Sequence, residues 1–184
     1  RPTDLTLDFV DDHNAIISFS PALNDITTWE YVVLEGDSFP DDSLPVLTTS
    51  NTSVFLSGLS EKTSYTLYIR GICSNGNHSS WANFGFKTEC SPLVLPYVEA
   101  FDVTNGSKFD CWSFPAPETG IQHPSIYTPT HDWEVDTNPV LRFAGIYSTE
   151  ALAILPEVPS DYSINSLRLS FLMRSNTDSI HLIV

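Results

Sequence analysis

The stretch "GLSEKTSYTLYIR", residues 58–70, carries the decisive pattern. Gly58 and Leu59 make a turn signal, Thr63 follows, and Tyr65 opens a run in which alternate residues are apolar. A period of two belongs to a strand with one buried face, whereas a helix repeats about every 3.6 residues. A tyrosine at such a corner buries its ring and turns its hydroxyl back to upstream backbone, as in Greek-key sandwiches.

The same rhythm extends to both sides. "LTLDF" (5–9) sets Leu5, Leu7 and Phe9 on one face, and "AIISFS" (15–20) does so with Ala15, Ile17 and Phe19. "WEYVVL" (29–34) alternates Trp29, Tyr31 and Val33 against Glu30, Val32 and Leu34. "SVFLSGL" (53–59) and "WANFGFKT" (81–88) complete the series. Helical periodicity is almost absent, and Pro, Gly, Asn and Asp punctuate the runs. Asp11–Asp12 and Asp41–Asp42 read as hairpin turns whose side chains cap local backbone. The expectation is an all-β chain of antiparallel sandwiches, each strand with one face buried.

In order and content, residues 1–89 resemble a fibronectin type III domain. "RPTDLTL" is similar to its opening strand, "WEYVV" to its third, and "GLSEKTSYTLYIRGIC" with "SSWANFGFKT" to its last two. The resemblance implies structural roles for Tyr65, Trp29 and Phe19, the last standing where the family usually has Trp. Trp81 is expected to pack at the start of the final strand.

The rhythm stops within "FKTECSPLVLPYVEAFD" (86–102). Pro92 and Pro96 donate nothing to a ladder and restrict the residues before them, so 90–96 reads as a short semi-rigid linker. From Tyr97 the chain changes character, with "CWSFP", "NPVLRFAG", "ALAILPEV" and "INSLRLSFLMR" separated by longer loops, although strand-like runs continue and Leu167, Leu169 and Phe171 alternate. This half, residues 97–184, resembles the jelly-roll domains of the cleaved-adhesin and related carbohydrate-binding-like modules of Bacteroides-type surface proteins. The expected architecture is two tandem antiparallel β-sandwiches, the second reading as incomplete because "DSIHLIV" falls in a mid-domain strand.

Cys73, Cys90 and Cys111 lack the C-x-x-C spacing of a zinc site. Cys73 and Cys90 fall at opposite ends of the first sandwich, too far apart to bond. Cys90 and Cys111 flank the linker and are the candidate pair; three inert thiols are the alternative. The bond would close a loop of about 20 residues, a gain of roughly 3 kcal/mol in the entropic model.

With 8 Lys+Arg against 23 Asp+Glu, the net charge of −15 repels phosphate backbones and argues against nucleic acid as partner. No window is long and apolar enough to span a membrane. Nucleophile elbows, H-E-x-x-H, Walker and G-x-G-x-x-G motifs are missing, so no enzyme activity is expected. The five histidines are scattered among turn residues, and "PTHDWEVD" reads as a surface strand rather than a site. Trp112 reads as a core filler.

Trp133 and Tyr127 are the candidate ligand-binding aromatics, since sugar rings stack on exposed aromatic faces. The jelly-roll resemblance implies a candidate structural Ca²⁺ with Asp102 in "EAFD" as its acidic ligand. The whole reads as a non-catalytic adhesion or carbohydrate-binding protein, secreted or on the outer surface of a bacterium. Its expected partners are glycans or a host or cell-surface protein. The alternative is an accessory segment of a larger secreted protease or glycoside hydrolase.

Overall fold

The structure, a computed structural model, describes residues 1–22, 26–41, 43–102, 108–114, 124–128, 138–142 and 153–171. Seven strands from the first half make two facing antiparallel sheets. β1 (Thr3–Val10), β2 (Asn14–Ser20) and β5 (Ser53–Ser57) form one sheet, in the order β1-β2-β5. β3 (Trp29–Glu35), β4 (Leu47–Thr49), β6 (Ser64–Gly71) and β7 (Ala82–Lys87) form the other, in the order β4-β3-β6-β7. The chain crosses three times between the sheets, after β2, β4 and β5, as expected of Greek-key connectivity in this sandwich class.

Alternation places the core. Ala15 and Ile17 of β2 face Leu67 and Ile69 of β6 across the sandwich, all with no measurable exposure. Phe19 meets Trp29 edge to face at 5.2 Å between ring centroids, so a Phe and a Trp together fill that end of the core. At the corner, Gly58 takes φ 72°, a left-handed conformation open to glycine, and the chain turns into "SEKTSY". The Ser60 N–H donates to the Tyr65 hydroxyl at 2.9 Å, and the Tyr65 ring stacks on Phe86. Tyr65→Phe leaves that N–H without its acceptor. A loss of about 1–2 kcal/mol is expected in urea denaturation, the low end of the range because the site is partly wet.

β1 departs from simple alternation. The register with β2 shifts between Leu7 and Phe9, so Leu7 pairs with Ile17 while Phe9 pairs with Ile16. Leu5, Leu7 and Phe9 therefore do not share a face: Leu5 and Val10 pack on the core, and Phe9 points outward, 46% exposed. The extra residue at the bulge is Asp8, whose Oδ1 accepts from Thr6 Oγ1 at 3.3 Å and from Ser18 Oγ at 3.0 Å. These bonds occupy groups at the irregularity, the usual way a bulge re-aims a side chain.

β6 is buried on both faces, not one. Leu67 and Ile69 face the core, while Thr66 and Tyr68, at 6% each, lie on the outer face. The segment after β3 folds back over them: Phe39 meets Tyr68 at 5.3 Å, and the Thr66 hydroxyl donates to Gly36 O at 2.7 Å. Next to them Arg70 pairs with Glu30 at 2.8 Å and lies 4.3 Å over the Trp81 ring. Trp81 thus sits just before β7, on the outer face, as a platform for Arg70.

Among the described residues no strand pairs with the outer edges of β5 and β4. Between these edges lies a cavity of about 550 Å³, lined by Tyr31, Val33, Leu44, Leu47, Phe55 and Leu56 among others.

Beyond residue 97 the described elements are fewer. A 3-10 turn spans Phe109–Cys111, β8 (Ser125–Tyr127) pairs with β9 (Val140–Arg142), and a second 3-10 turn spans Ile164–Ser166. Ser113 and Ile154 exchange backbone hydrogen bonds at 2.9 Å each way. No α-helix occurs among the described residues. The alternation of Leu167, Leu169 and Phe171 does not make a strand here; Leu169 and Phe171 are about half exposed, at 53% and 50%. Alternation suits a residue to a sheet but does not supply the partner whose ladder makes one.

Candidate functional site at the seam

Three pieces of the first sandwich converge where β7 ends: the Asp11–Asn14 turn, the 58–63 corner and the exit after Lys87. Backbone bonds stitch them together, Glu89 N–H to Asp11 O at 3.0 Å and Lys62 N–H to Glu89 O at 2.9 Å. Thr88, 3% exposed, donates from its hydroxyl to Ser60 O at 2.7 Å and accepts from Thr63 N–H at 2.8 Å. Asp11 and Asp41 act as turn caps. Asp11 accepts from the His13 and Asn14 N–H groups at 2.8 and 2.6 Å, and Asp41 from the Ser43 hydroxyl at 2.5 Å and the Ser43 N–H at 2.8 Å. These donors hold both carboxyls below their ordinary value of 3.8. His13 is tied in as well, its Nδ1 being 2.9 Å from Leu59 O.

The following segment is fastened to this end by one covalent and several polar links. Cys90 and Cys111 form a disulfide with Cα atoms 5.9 Å apart; Cys73 is free. Ser91 is held twice: its N–H donates to Glu61 Oε2 at 2.8 Å and its hydroxyl to Asp12 Oδ2 at 2.7 Å. Lys108 reaches back to the same carboxylate, its Nζ at 3.1 and 3.3 Å from the two Glu61 oxygens. Beside it Lys62 pairs with Asp110 at 3.2 Å. Lys62 takes φ 53°, a left-handed conformation for which a non-glycine side chain carries a cost of about 1 kcal/mol.

Residues 90–96 are therefore not a simple tether. Leu93 is 2% exposed, and its N–H donates to Glu157 O at 2.8 Å, bringing a segment from far along the chain onto the seam. Below it, the Glu99 carboxylate accepts from the Phe101 N–H at 2.7 Å, the Lys108 N–H at 3.1 Å and the Tyr97 hydroxyl. Burial, then the Glu99 charge and hydrogen bond, push the Tyr97 phenol up to about 12. Trp112 belongs to an aromatic cluster with Phe101 and Phe109, at 5.7 and 6.3 Å. Its Nε1 is buried without a hydrogen-bond partner among the described residues.

Electrostatics reinforce the clamp. Burial opposes ionisation of Glu61, but the Ser91 N–H and the Lys108 ammonium outweigh it and hold the carboxyl below its ordinary 4.5. A depressed folded-state value stabilises the seam above about pH 4.5 and is lost as pH falls through the lowered value. Glu61 is more than a third exposed, so solvent screens the pair and the effect is modest. In NMR titration the Ser91 amide shift is expected to report a midpoint below 4.5, absent in Glu61→Gln. A midpoint at or above 4.5 counts against the clamp. Tyr97 runs the other way: its raised value stabilises the fold below about pH 10 and loses that effect as pH climbs toward 12.

The other expected site residues fall elsewhere. Trp133 lies outside the described residues, as does the "HDWE" cluster. Tyr127 is half-buried in β8, and the Arg142 guanidinium lies 4.9 Å over its ring, so that face is occupied. Asp102 is half-buried and already engaged by other groups of the protein. No group of three His, Cys, Asp or Glu side chains arranged for a metal ion occurs among the described residues.

Sequence reading did not single out Glu61, Lys62, Ser91, Lys108 or Asp110. A signal was present nonetheless: in a chain with only 8 Lys+Arg, the cations at 62 and 108 are scarce enough to demand assigned partners.

No family model matches the chain, and no curated protein matches it. Solved structures do match about half of it. The fn3 domain of the human collagen alpha-1(XX) chain is 16% identical with TM-score 0.43, over 50% of this chain and 88% of that one. A structure titled "Myokine structure" is 20% identical with TM-score 0.41, over 48% and 95%. A redesigned β-sandwich protein is 19% identical with TM-score 0.40, over 48% and 94%.

Proposed function

We propose that this chain is a non-catalytic extracellular segment, secreted or displayed on an outer cell surface. Residues 1–89 form a spacer of the fibronectin type III kind, 90–96 the seam, and 97–184 the recognition region. The observation that carries this reading is the seam. A disulfide, two lysine–carboxylate pairs and the doubly held Ser91 all serve to join rather than to react. Lys62, Lys108, Glu61 and Asp110 are each engaged with one another, which suits a joint built to transmit orientation. The Cys90–Cys111 bond also favours an oxidising compartment, where such bonds persist.

Glycans are the ligand class implied for the second region by its resemblance to jelly-roll adhesin modules, with Trp133 as the stacking residue; Tyr127, with one face under Arg142, is the weaker candidate. The test is a glycan array with the whole chain and with Trp133→Ala. Binding to a defined glycan set, reduced at least tenfold in the variant, is the expected result. Silence on the array together with a specific protein recovered by pull-down would replace glycan with protein as the ligand.

A further inference from the structure

The sandwich has four edge strands, and three carry protection against pairing with another chain. β1 has two register shifts and lies against β7, which ends in Lys87. β4 is three residues long and is preceded at Pro45 by a residue that donates no ladder bond. Bulges, shortness, Pro and Lys are the usual means of blunting an edge. β5 has none of them: Ser53–Ser57 reads Ser-Val-Phe-Leu-Ser, pairs with β2 in continuous register, and has no strand on its far side among the described residues.

That open edge borders the 550 Å³ cavity. Phe55 and Leu47, which line its mouth, are each 61% exposed, far more than a Phe or Leu with a settled place in a core. Phe55 also ends a cross-strand row on the outer face, opposite Ile16, which is opposite Phe9. Directly opposed residues on neighbouring strands stand about 5 Å apart, so the row is continuous apolar surface. The bulge in β1 is what adds Phe9 to it.

Charge narrows the occupant. No Lys or Arg lies between Arg1 and Lys62, so β1 through β5 and their loops hold carboxylates without those cations. A second copy of this chain, at −15, would bring like charge to the same surface. We infer that the β5 edge binds an extended peptide segment of a partner protein by strand addition. Its alternate apolar side chains enter the cavity between β5 and β4, and flanking Lys or Arg residues meet the acidic loops. Main-chain bonds to the edge supply affinity, and side chains at every second position supply selectivity. The first sandwich then has a binding role of its own, independent of the recognition assigned to residues 97–184.

The test is selection of a phage-displayed random decapeptide library on the immobilised whole chain, in parallel with a Phe55→Lys/Leu47→Lys variant. Both residues are exposed, and an unchanged circular dichroism spectrum and melting curve confirm that the variant folds. Clones with alternating apolar residues and Lys or Arg are expected, with enrichment at least tenfold lower on the variant and weakened at high salt. Equal enrichment on the variant, acidic or patternless clones, or no enrichment would overturn the proposal. So would a dimer in sedimentation that Phe55→Lys dissolves, which would give the edge to a second copy.

Discussion

Cys111→Ala should raise the hydrogen-exchange rate of the Leu93 amide about a hundredfold while leaving the amides of β2 and β6 almost unchanged. The Cys90–Cys111 bond joins positions 21 apart, a loop for which the chain-entropy model gives roughly 3 kcal/mol. At about 1.4 kcal/mol per tenfold, that becomes roughly two decades in the open fraction of the joint. Leu93 is the right reporter because it is buried at the seam and its N–H is bonded to Glu157 O. The core amides of the sandwich are protected by ladders that do not depend on the bond. Glu61 and Lys108 remain in the variant, so the joint loosens rather than falls apart. An exchange rate within a factor of three of the parent would show that packing at Leu93 and the ion pairs hold the seam without the bond.

Leu67→Ala should cost about 4 kcal/mol in global stability, read as a shift of the urea midpoint with unchanged slope. Leu67 has no measurable exposure, and its register partners on either side are Val33 and Phe84. Neighbours in two ladders are fixed by backbone bonds and collapse poorly into the space a leucine leaves, which favours the upper part of the range for such changes. Phe55→Ala is the matching control: a larger side chain is removed, yet at 61% exposure less than 1 kcal/mol should be lost. Similar losses from the two would mean that Phe55 contributes to folding and is not held in reserve for a partner.

Much of the first sandwich was legible along the chain because its signals are local. The corner from Gly58 to Tyr65 needs a glycine with positive φ and a hydroxyl five residues from its donor, and both are adjacent in sequence. Alternation in β2 and β3 named Ile17, Phe19 and Trp29 as core because a strand's two faces are set by parity. The same parity failed in β1, where one extra residue at Asp8 moved Phe9 to the other face. Nothing in "LTLDF" marks that shift, since a bulge is a property of the pairing and not of one strand. It failed also for Leu167, Leu169 and Phe171, which alternate without a ladder.

The seam divides along the same line. That Pro92 and Pro96 interrupt a ladder follows from their rings, and that Cys90 lies too far along a strand from Cys73 follows from the rise per residue. Which partners those residues take is a different matter. The meeting of Glu61 with Lys108, of Ser91 with Asp12 and of Leu93 with Glu157 spans 47, 79 and 64 positions, the last being 157 minus 93. The sequence by itself determined the all-β class, the faces of most strands and the run that makes the sandwich's last strand, because these depend on steric rules acting within a few residues. Only the tertiary structure decided that the joint is clamped, that Phe9 joins Phe55 on an outer face and that no strand among the described residues pairs with the far edge of β5. Those depend on which distant groups desolvate one another, and one-dimensional patterning carries no record of that choice.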